Sequence, residues 1–263
     1  MNRSVKARQN LPHLFSHWDE VIERIRKSPR VLLCLDFDGT LVRIAPRPNQ
    51  VRVVARTARL LRRLGRHSRI SVMLVSGRRR KDMLNYVNLP RVRCQGLYGW
   101  ECNGHLPLSQ AEEINLIRAR LSLGKNLPRF PGAWVEPKES SLSVHVRSVK
   151  PELVPRVRQT VRRLVRPLRR SLHVFENVRD IEILPCSVKD KGAAVRSYLA
   201  RPEHRHDLPL YFGDDFSDEP AFRAARKGIS VLVGKARPTS AQFRLRGPAE
   251  VTTALARIEE AIS

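Results

Sequence analysis

Val31-Leu-Leu-Cys-Leu-Asp-Phe-Asp-Gly-Thr-Leu41 is the most informative segment of this sequence. Apolar residues typical of a strand lead directly into two carboxylates, Asp36 and Asp38, and a turn at Gly39. A buried parallel strand has such a continuous apolar pattern, and ligands of α/β sheets gather at the carboxyl ends of the strands. Asp-Gly is also turn chemistry, so the two aspartates could simply close the strand. Because three further segments fit the same site, we expect both aspartates to meet a cation and a phosphate there.

Strands and helices alternate on both sides of this segment. Apolar runs predict core strands at Val31–Phe37, Ile70–Val75, Val92–Leu97, Leu208–Phe212 and Ile229–Val233. Apolar residues at helical spacing predict core helices at Trp18–Lys27, Val51–Leu64, Arg79–Val87, Asp190–Leu199 and Ala249–Ile262. This alternation predicts a parallel, doubly wound sheet, and hence an α/β protein with a Rossmann-like core.

The pattern changes between the third and the fourth predicted core strands. Helices are predicted over Pro107–Leu123 and Glu152–Leu168, and pairs of strands within Ala133–Val149 and Leu172–Leu184, the first pair turning at Pro137-Lys-Glu-Ser140. This order indicates an α+β unit inserted into the core. We therefore assign residues 103–185 to an inserted cap domain, and residues 1–102 with 186–263 to the core domain.

The chain is strongly basic, with 50 Lys and Arg against 25 Asp and Glu and a net charge of +25. Such a surplus attracts nucleic acid, anionic membranes and phosphorylated metabolites. The arginines lie among apolar residues at helical spacing, and the sequence has neither zinc-finger spacing nor an aromatic RNA-recognition signature. We interpret the charge as solvated helix faces and keep a basic nucleic-acid-binding protein as the alternative of another class.

Four cysteines, Cys34, Cys94, Cys102 and Cys186, occur without a C-x-x-C pair. Buried, reduced thiols of a cytoplasmic protein are the simplest interpretation, while a bridge between Cys94 and Cys102 stays open. No apolar segment of signal-peptide length follows the basic N-terminus. No run of about eighteen apolar residues is present, so no membrane span is expected. The predicted location is the cytoplasm.

Asp36 and Asp38 suit hydrolysis of a phosphate ester by a covalent route. A carboxylate is ionised at neutral pH, so Asp36 needs no base before it attacks phosphorus. Asp38 can protonate the departing alcohol oxygen and then take a proton from the water that hydrolyses the aspartyl-phosphate. We predict Asp36 as the nucleophile and Asp38 as the general acid and base.

Two basic segments are predicted to bind the phosphoryl group. Ser76, in Val75-Ser-Gly-Arg78, offers a hydroxyl and nearby backbone amides, and Gly77 and Arg78 of the same turn are assigned to the substrate. Lys191 opens a predicted helix, so it brings a cation and a helix N-terminus to the same anion. Ser-Gly-Arg is also a common turn, and a lysine before glycine is a weak signal by itself.

A divalent cation is needed because a phosphate dianion that approaches ionised Asp36 is repelled. Mg²⁺ prefers oxygen ligands and binds one or two carboxylates together with substrate phosphate. We predict the Asp36 carboxylate, the Asp38 backbone carbonyl and Asp214 as its ligands. Asp215 and Asp218 are expected to hold water and Lys191. The acidic segment Gly213–Glu219 could also be a solvated helix start, whereas a P-loop is excluded because no G-x-x-x-x-G-K-[ST] occurs.

The D-x-D-G-T-L pattern of Asp36–Leu41 closely resembles motif one of the haloacid dehalogenase-like phosphohydrolases. Gly213-Asp-Asp-Phe-Ser-Asp-Glu219 resembles, more narrowly, the G-D-D-x-T-D-E of the trehalose-6-phosphate phosphatase family, with Ser217 in place of threonine. Gly96-Leu-Tyr-Gly-Trp-Glu101 is similar to that family's G-x-[HY]-G-x-E. The resemblance implies a Rossmann-like haloacid dehalogenase core with an inserted α/β cap of the C2 type.

The predicted cap carries further motifs of that family. Val135-Glu-Pro-Lys-Glu-Ser-Ser-Leu142 with His145-Val-Arg147 resembles E-x-K-x-x-S-L…H-Y-R, with Val146 where tyrosine is common. Ile181-Glu-Ile-Leu-Pro185 ahead of Asp190-Lys-Gly192 matches E-[IV]-x-P…KG. The resemblance implies that Glu136, Lys138 and Glu182 bind sugar hydroxyls. The structural alternative is a surface ion pair across a hairpin.

The function that the resemblance implies is Mg²⁺-dependent hydrolysis of trehalose 6-phosphate to trehalose and phosphate. Functional coupling to a trehalose-phosphate synthase would fit that activity. Sucrose phosphate, glucosylglycerate phosphate and mannosylglycerate phosphate are rival substrates, because only the cap distinguishes the phosphatases that act on them. The acidic set argues against nucleic-acid binding, since its charges repel a polyanion.

Overall fold

The structure is a computed structural model that describes residues 10–45, 50–87, 89–99, 101, 108–138, 140–178, 180–188 and 190–262. The chain divides into two compact units. The core unit comprises residues 1–104 and 189–263, and the cap unit comprises residues 105–188.

The elements of the described residues are numbered in chain order. The strands are β1 Val31–Leu35, β2 Ile70–Val75, β3 Val92–Gln95, β4 Trp134–Lys138, β5 Ser141–His145, β6 Leu172–Glu176, β7 Asp180–Pro185, β8 Leu208–Gly213, β9 Ile229–Val233 and β10 Phe243–Leu245. The α-helices are α1 Trp18–Lys27, α2 Ala55–Arg66, α3 Arg80–Tyr86, α4 Gln110–Asn126, α5 Val154–Val165, α6 Lys191–Leu199, α7 Glu219–Ala224 and α8 Pro248–Ile262.

The core unit is built on a parallel six-stranded sheet in the order β10-β9-β8-β1-β2-β3. Strand β1 lies inside the sheet, where Val31 pairs with Ile70 of β2 on one side and with Leu208 of β8 on the other. Every side chain of β1 is buried. This burial on both faces explains why the strand is apolar throughout instead of alternating.

The two faces of β1 pack into two different hydrophobic clusters. Val31, Leu33 and Leu35 belong to the cluster that includes side chains of α1, α2 and α8, while Leu32 and Cys34 belong to the cluster that includes α6 and α7. Helices therefore cover both faces of the sheet, as in a doubly wound fold. The predicted α/β class with a parallel core sheet is confirmed.

The cap unit contains an antiparallel sheet in the order β4-β5-β7-β6. One face is apolar and packs with residues of α4 and α5 in a cluster that includes Leu142, Val144, Ile181 and Ile183. Successive side chains of a strand point to opposite sides, so the alternate residues of β4, β5 and β7 form the opposite face. That face is mostly polar. A capping box between Ser109 and Glu112 begins α4.

Several predicted bounds are wrong. Helix α2 begins at Ala55 rather than Val51, since Val54 is extended at the N-cap, and it continues past Gly65. Strand β1 ends at Leu35 rather than Phe37, because the acidic turn begins directly after Leu35. Strand β4 continues through Pro137, which the sequence had placed in a turn. Because β4 is an edge strand, a proline without an N–H is tolerated there.

The described cysteines are free thiols, buried at Cys34 and Cys94 and exposed at Cys186. Cys102, the other candidate for a bridge, lies outside the described residues. Within the described ranges, the helices are too short or too polar to cross a bilayer.

Candidate active site

The proposed nucleophile lies where β1 ends. The Asp36 amide still donates to the Phe212 carbonyl oxygen of β8 (2.9 Å), so the sheet holds its backbone. Gly39 follows with a φ of +88°, and a Cβ there would lie 2.0 Å from Oδ2 of Asp214. Only glycine accepts this conformation and this approach without strain. The turn after β1 therefore brings Asp214, at the end of β8, against the Asp36 loop.

Lys191 is the centre of the site. Its Nζ donates to Oδ1 of Asp36 (2.6 Å) and to Oδ1 of Asp218 (2.8 Å), although the residue is only 3% exposed. Helix α6 begins at Lys191, and the Asp190 carboxylate caps it by accepting from the Ala193 amide (2.7 Å). The pKa of Lys191 is raised, because its two carboxylate partners outweigh the opposing effect of burial.

Asp218 is fully buried, and its carboxylate is held on all sides. Oδ1 accepts from Lys191 and from the Tyr211 hydroxyl (2.7 Å), while Oδ2 accepts from the amides of Asp214 (3.1 Å) and Asp215 (3.0 Å). Four donors leave this carboxylate little capacity for a further ligand. Asp218 therefore fixes the positions of Lys191 and of the loop after β8.

The aspartates lie close enough together to attract a cation. Carboxylate oxygens of Asp36, Asp214 and Asp218 all lie within 4.8 Å of one another. Burial raises the pKa of Asp36 to about 7, against the attraction of Lys191 and together with the repulsion of Asp218. Burial and the charges of Asp36 and Asp218 raise the pKa of Asp214 well above its usual range. Because a single lysine faces three carboxylates in this group, the donor set fits a hard divalent cation.

Asp215 lies at the start of the acidic loop. Its carboxylate accepts from the Phe216 amide (2.7 Å) and caps the short 3₁₀ turn Phe216–Asp218. Arg237 donates to its carbonyl oxygen (2.7 Å). The side chain thus shapes the acidic loop, and the two bonds of Lys191 in this cluster reach Asp36 and Asp218.

Ser76 follows β2 and is 2% exposed. Its amide donates to the Gln95 carbonyl oxygen of β3 (3.1 Å), and its Oγ accepts from the Arg78 amide (3.1 Å). These two amides of the turn are therefore engaged within the protein. The Ser76 hydroxyl proton remains the group that this residue can offer to a phosphoryl oxygen.

Arg78, assigned to the substrate from the sequence, forms a two-pronged ion pair with Asp38. Nε lies 2.5 Å from Oδ2 and Nη2 lies 2.7 Å from Oδ1. The guanidinium also lies 5.6 Å from the ring centres of Phe37 and Tyr86. A planar guanidinium matches a carboxylate fork, which explains the pairing. Both carboxylate oxygens of Asp38 thus accept from Arg78.

A neighbouring loop holds the Ser76–Arg78 turn in place. Oε2 of Glu101 accepts from the Arg80 amide (2.6 Å), and a Cβ on Gly77 would lie 2.9 Å from the Tyr98 ring. Tyr98 itself has a φ of +63°, a conformation that costs a non-glycine residue free energy. The sequence showed this segment only as part of a motif. In the structure it supports the Ser76–Arg78 turn.

The three cap residues assigned from the resemblance lie on the polar face of the cap sheet. Nζ of Lys138 donates to Oε1 of Glu182 (2.8 Å), and Oε2 of Glu136 lies 2.6 Å from Nε2 of His145. Burial raises the pKa of Glu182, which is only 3% exposed. Burial alone would lower the pKa of Lys138, but the carboxylate of Glu182 raises it. The pair of Lys138 and Glu182 is more buried than a surface ion pair. The contact between Glu136 and His145 was not indicated by the sequence.

Tyr211 belongs to this cluster in the core unit, although the sequence did not indicate it. It is fully buried in β8, and its hydroxyl donates to Asp218. A tyrosine within an otherwise apolar buried strand was the available signal, because a buried phenol requires a hydrogen-bond partner.

Comparison with known proteins identifies the family of this chain. The trehalose-phosphatase family profile matches residues 34–249. The chain is 30% identical over 257 residues to trehalose 6-phosphate phosphatase RA3 of Zea mays, and 30% identical over 249 residues to a trehalose-phosphate phosphatase of Mycobacterium marinum. These alignments cover 88% and 89% of this chain, and 70% and 63% of the two relatives. Two longer relatives are covered over only 19% of their length.

A solved structure shows the same fold. The C-terminal domain of C. albicans trehalose-6-phosphate phosphatase superposes with a TM-score of 0.83 at 20% identity, over 98% of this chain and 99% of that one. The predicted core with a separate, inserted antiparallel unit is thereby confirmed at the level of the fold. From the profile match and the sequence identities, the chain belongs to the trehalose-phosphatase family, whose members are phosphoric monoester hydrolases.

Proposed function

We propose that this chain hydrolyses trehalose 6-phosphate to trehalose and phosphate, with Asp36 as the nucleophile and Mg²⁺ as the cofactor. The observation that carries the chemistry is the group formed by Asp36, Asp214 and Asp218 with the buried Lys191. Family membership and the names of the relatives support the choice of substrate.

In the first step the Asp36 carboxylate attacks phosphorus, and the bond from phosphorus to the sugar oxygen breaks. Asp38 gives its proton to that oxygen, so trehalose leaves as a neutral alcohol and an aspartyl-phosphate remains on Asp36. Lys191, the Ser76 hydroxyl and the Gly77 turn hold the phosphoryl oxygens. Arg78 moves from Asp38 to the phosphoryl group, which frees Asp38 to carry a proton.

In the second step water attacks the phosphorus of the aspartyl-phosphate. Asp38, deprotonated by the first step, takes the proton from this water, and the bond between phosphorus and the Asp36 oxygen breaks. Phosphate leaves, and both aspartates return to their starting states. The same residue acts first as acid and then as base, so no further proton carrier is required.

The cofactor is assigned to the Asp36 carboxylate, the Asp214 carboxylate and the Asp38 backbone carbonyl. When bound, Mg²⁺ neutralises the repulsion between the nucleophile and the phosphate. Asp218 has its four hydrogen bonds within the protein and therefore orients Lys191. Asp215 shapes the loop that carries Asp214.

Recognition of the sugar is assigned to the cap unit. Glu136 and Glu182 accept hydrogen bonds from sugar hydroxyls, and Lys138 donates one. A site built to bind hydroxyls discriminates strongly against a substrate that lacks them, because its polar groups are then left unpaired. The arrangement of these three groups is assigned the discrimination between trehalose 6-phosphate and sugar phosphates whose hydroxyls lie at other positions.

Phosphate release with Mg²⁺ over a panel of sugar phosphates tests this function. The panel contains trehalose 6-phosphate, sucrose phosphate, glucosylglycerate phosphate and mannosylglycerate phosphate. We expect the highest kcat/KM for trehalose 6-phosphate, and loss of turnover with a chelator that is reversed by added Mg²⁺. A higher kcat/KM for another member of the panel contradicts the substrate. Salt-sensitive binding of duplex DNA without any phosphate release favours the nucleic-acid alternative.

A further inference from the structure

Trp134 is a large apolar side chain on the polar face of the cap sheet. Residues alternate along β4, so Trp134, Glu136 and Lys138 point to the same side, away from the face that packs with α4 and α5. Trp134 is 48% exposed. An exposed indole beside two charged residues of a proposed sugar site requires an explanation beyond packing.

His145 holds the indole in a fixed orientation. It lies directly opposite Trp134 in the antiparallel register, and the two rings are stacked with centroids 4.0 Å apart and planes 18° apart. His145 is only 7% exposed, and its Nε2 lies 2.6 Å from Oε2 of Glu136. One face of the indole is therefore covered by the imidazole. The exposed surface of Trp134 therefore belongs to the other face of the indole and to its edge.

Further along the same face, polar groups beside Lys138 are buried. Glu182 is 3% exposed, and its Oε1 accepts a hydrogen bond from Lys138. Ser141 lies opposite Lys138 in the register and is 1% exposed. The Ser141 hydroxyl has no hydrogen-bond partner among the described residues. A buried polar group without a partner is costly, so its place on this face indicates a ligand.

A pyranose ring has the chemistry that this surface recognises. Its C–H face is apolar and flat, and its rim carries hydroxyls that both donate and accept. An aromatic ring offers a large apolar contact at a small entropic cost, while carboxylates and an ammonium satisfy the rim. We propose that Trp134 is the stacking platform for the non-phosphorylated glucose ring of the substrate, and that His145 is a positioning residue that holds the platform. This inference rests on the proposed function and adds a specificity determinant to it.

Kinetics of the whole chain separate a platform from a merely structural tryptophan. We expect Trp134→Ala to raise KM for trehalose 6-phosphate about 10-fold, from the loss of one aromatic contact. Hydrolysis of p-nitrophenyl phosphate, which has no glucose ring, should stay within about 2-fold of wild type. Trp134→Phe should have a KM for trehalose 6-phosphate close to that of wild type. Leu121→Ala is the matched control, because it removes a 60% exposed apolar side chain from α4.

Calorimetric titration with trehalose gives a readout without turnover. The wild-type chain and Trp134→Phe should bind trehalose, and Trp134→Ala should bind it about 10-fold more weakly. Equal binding by wild type and Trp134→Ala contradicts the platform, as does no binding by wild type. An unchanged KM for trehalose 6-phosphate in Trp134→Ala contradicts it too. Failure of the wild type to hydrolyse trehalose 6-phosphate instead rejects the proposed function, and trehalose titration still tests the platform.

Discussion

The core site and the cap face both arrange carboxylates around a lysine, but they place them differently on their sheets. In the core unit, Lys191 and its partners lie at strand ends and helix starts, where backbone amides are free to hold Asp218. In the cap unit, Lys138 and Glu182 lie within strands whose backbone groups already pair in the ladder. Backbone amides of a loop can bind a charged side chain and hold it in place. On the face of a strand, only side chains are available for such contacts.

This difference separates two tasks. The core site concentrates charge, with a raised pKa at Asp36 and Asp214 and a buried lysine between carboxylates. Such a site suits a reaction in which charge moves. The cap face distributes charged, hydroxyl and aromatic groups over a surface, which suits recognition of the shape of a ligand. Variants of the core should therefore affect all phosphate esters, and variants of the cap only those that carry the sugar.

The largest expected effect is that of Asp36→Asn. Replacing the nucleophile should lower kcat by at least about 10⁴-fold for trehalose 6-phosphate and for p-nitrophenyl phosphate alike. The near-isosteric amide should leave the fold intact, as checked by circular dichroism and thermal unfolding. Asp19→Asn, at an exposed position of α1, is the matched control. Comparable turnover by a folded Asp36→Asn protein contradicts the assignment of the nucleophile.

Lys191→Ala should affect stability as well as turnover. It leaves Asp36 and Asp218 buried without their cation, which typically costs about 3–5 kcal/mol of the free energy of unfolding. Added Mg²⁺ should recover part of this loss in the variant, since it supplies positive charge to the same carboxylates. Urea unfolding with and without Mg²⁺ measures both effects. Lys125→Ala, at an exposed lysine of α4, should change neither.

An unchanged free energy of unfolding in Lys191→Ala would show that the lysine is not the main compensation for these aspartates. The core site would then not depend on Lys191 to compensate its clustered carboxylates. The proposed difference between the core site and the cap face would be wrong in that respect.

Glu182→Gln is the matching test in the cap. Losing one charged hydrogen bond to a sugar hydroxyl costs about 1.5–3 kcal/mol, or roughly 10- to 200-fold in kcat/KM for trehalose 6-phosphate. Turnover of p-nitrophenyl phosphate should remain near wild type, because that substrate has no glucose ring. If both substrates lose activity equally, Glu182 supports the fold rather than the sugar, and the division of tasks is wrong.

The smallest expected effect concerns the frame of the cap unit. Glu112 accepts hydrogen bonds from the amides of Ser109 and Ser187, both at 2.9 Å. Burial raises the pKa of Glu112, but these hydrogen bonds outweigh it and the pKa is lowered. Glu112→Ala should lower the free energy of unfolding by about 1 kcal/mol at neutral pH.

The sign of the pH dependence follows from the lowered pKa of Glu112. Its contribution is present above the unfolded-state pKa, near 4.3, and is lost as the pH falls through the folded-state pKa. The difference between wild type and Glu112→Ala should therefore shrink in acid. If that difference stays constant from neutral to acidic pH, the charge of Glu112 does not contribute to the free energy of unfolding.

The local pattern of the sequence predicted the elements whose apolar residues make one continuous signal. The bounds of α1, β2 and β9 match the predictions, since periodicity and turn residues mark both of their ends. Strand β10 was not predicted, because its three residues are too short for any period to show. Helix α7, only six residues long, escaped for the same reason.

Pairings within the sites were harder to predict than their members. The order of carboxylates after apolar strands indicated Asp36, Asp38 and Asp214, because parallel strands bring their carboxyl ends to one edge. The attachment of Arg78 to Asp38 depends on the three-dimensional path of two loops. The stack of Trp134 on His145 depends on the strand register, which the hairpin sequence does not specify.

The covalent role of Asp36 is tested most directly with Asp38→Asn and p-nitrophenyl phosphate. This substrate has a good leaving group, so attack by Asp36 should proceed without the acid, while hydrolysis of the intermediate lacks its base. Rapid quenching should show a burst of p-nitrophenol that approaches one equivalent of enzyme, followed by slow release. Peptide mapping of the quenched protein should place the phosphate on Asp36. A linear time course, with no phosphate on the peptide that contains Asp36, would contradict the account.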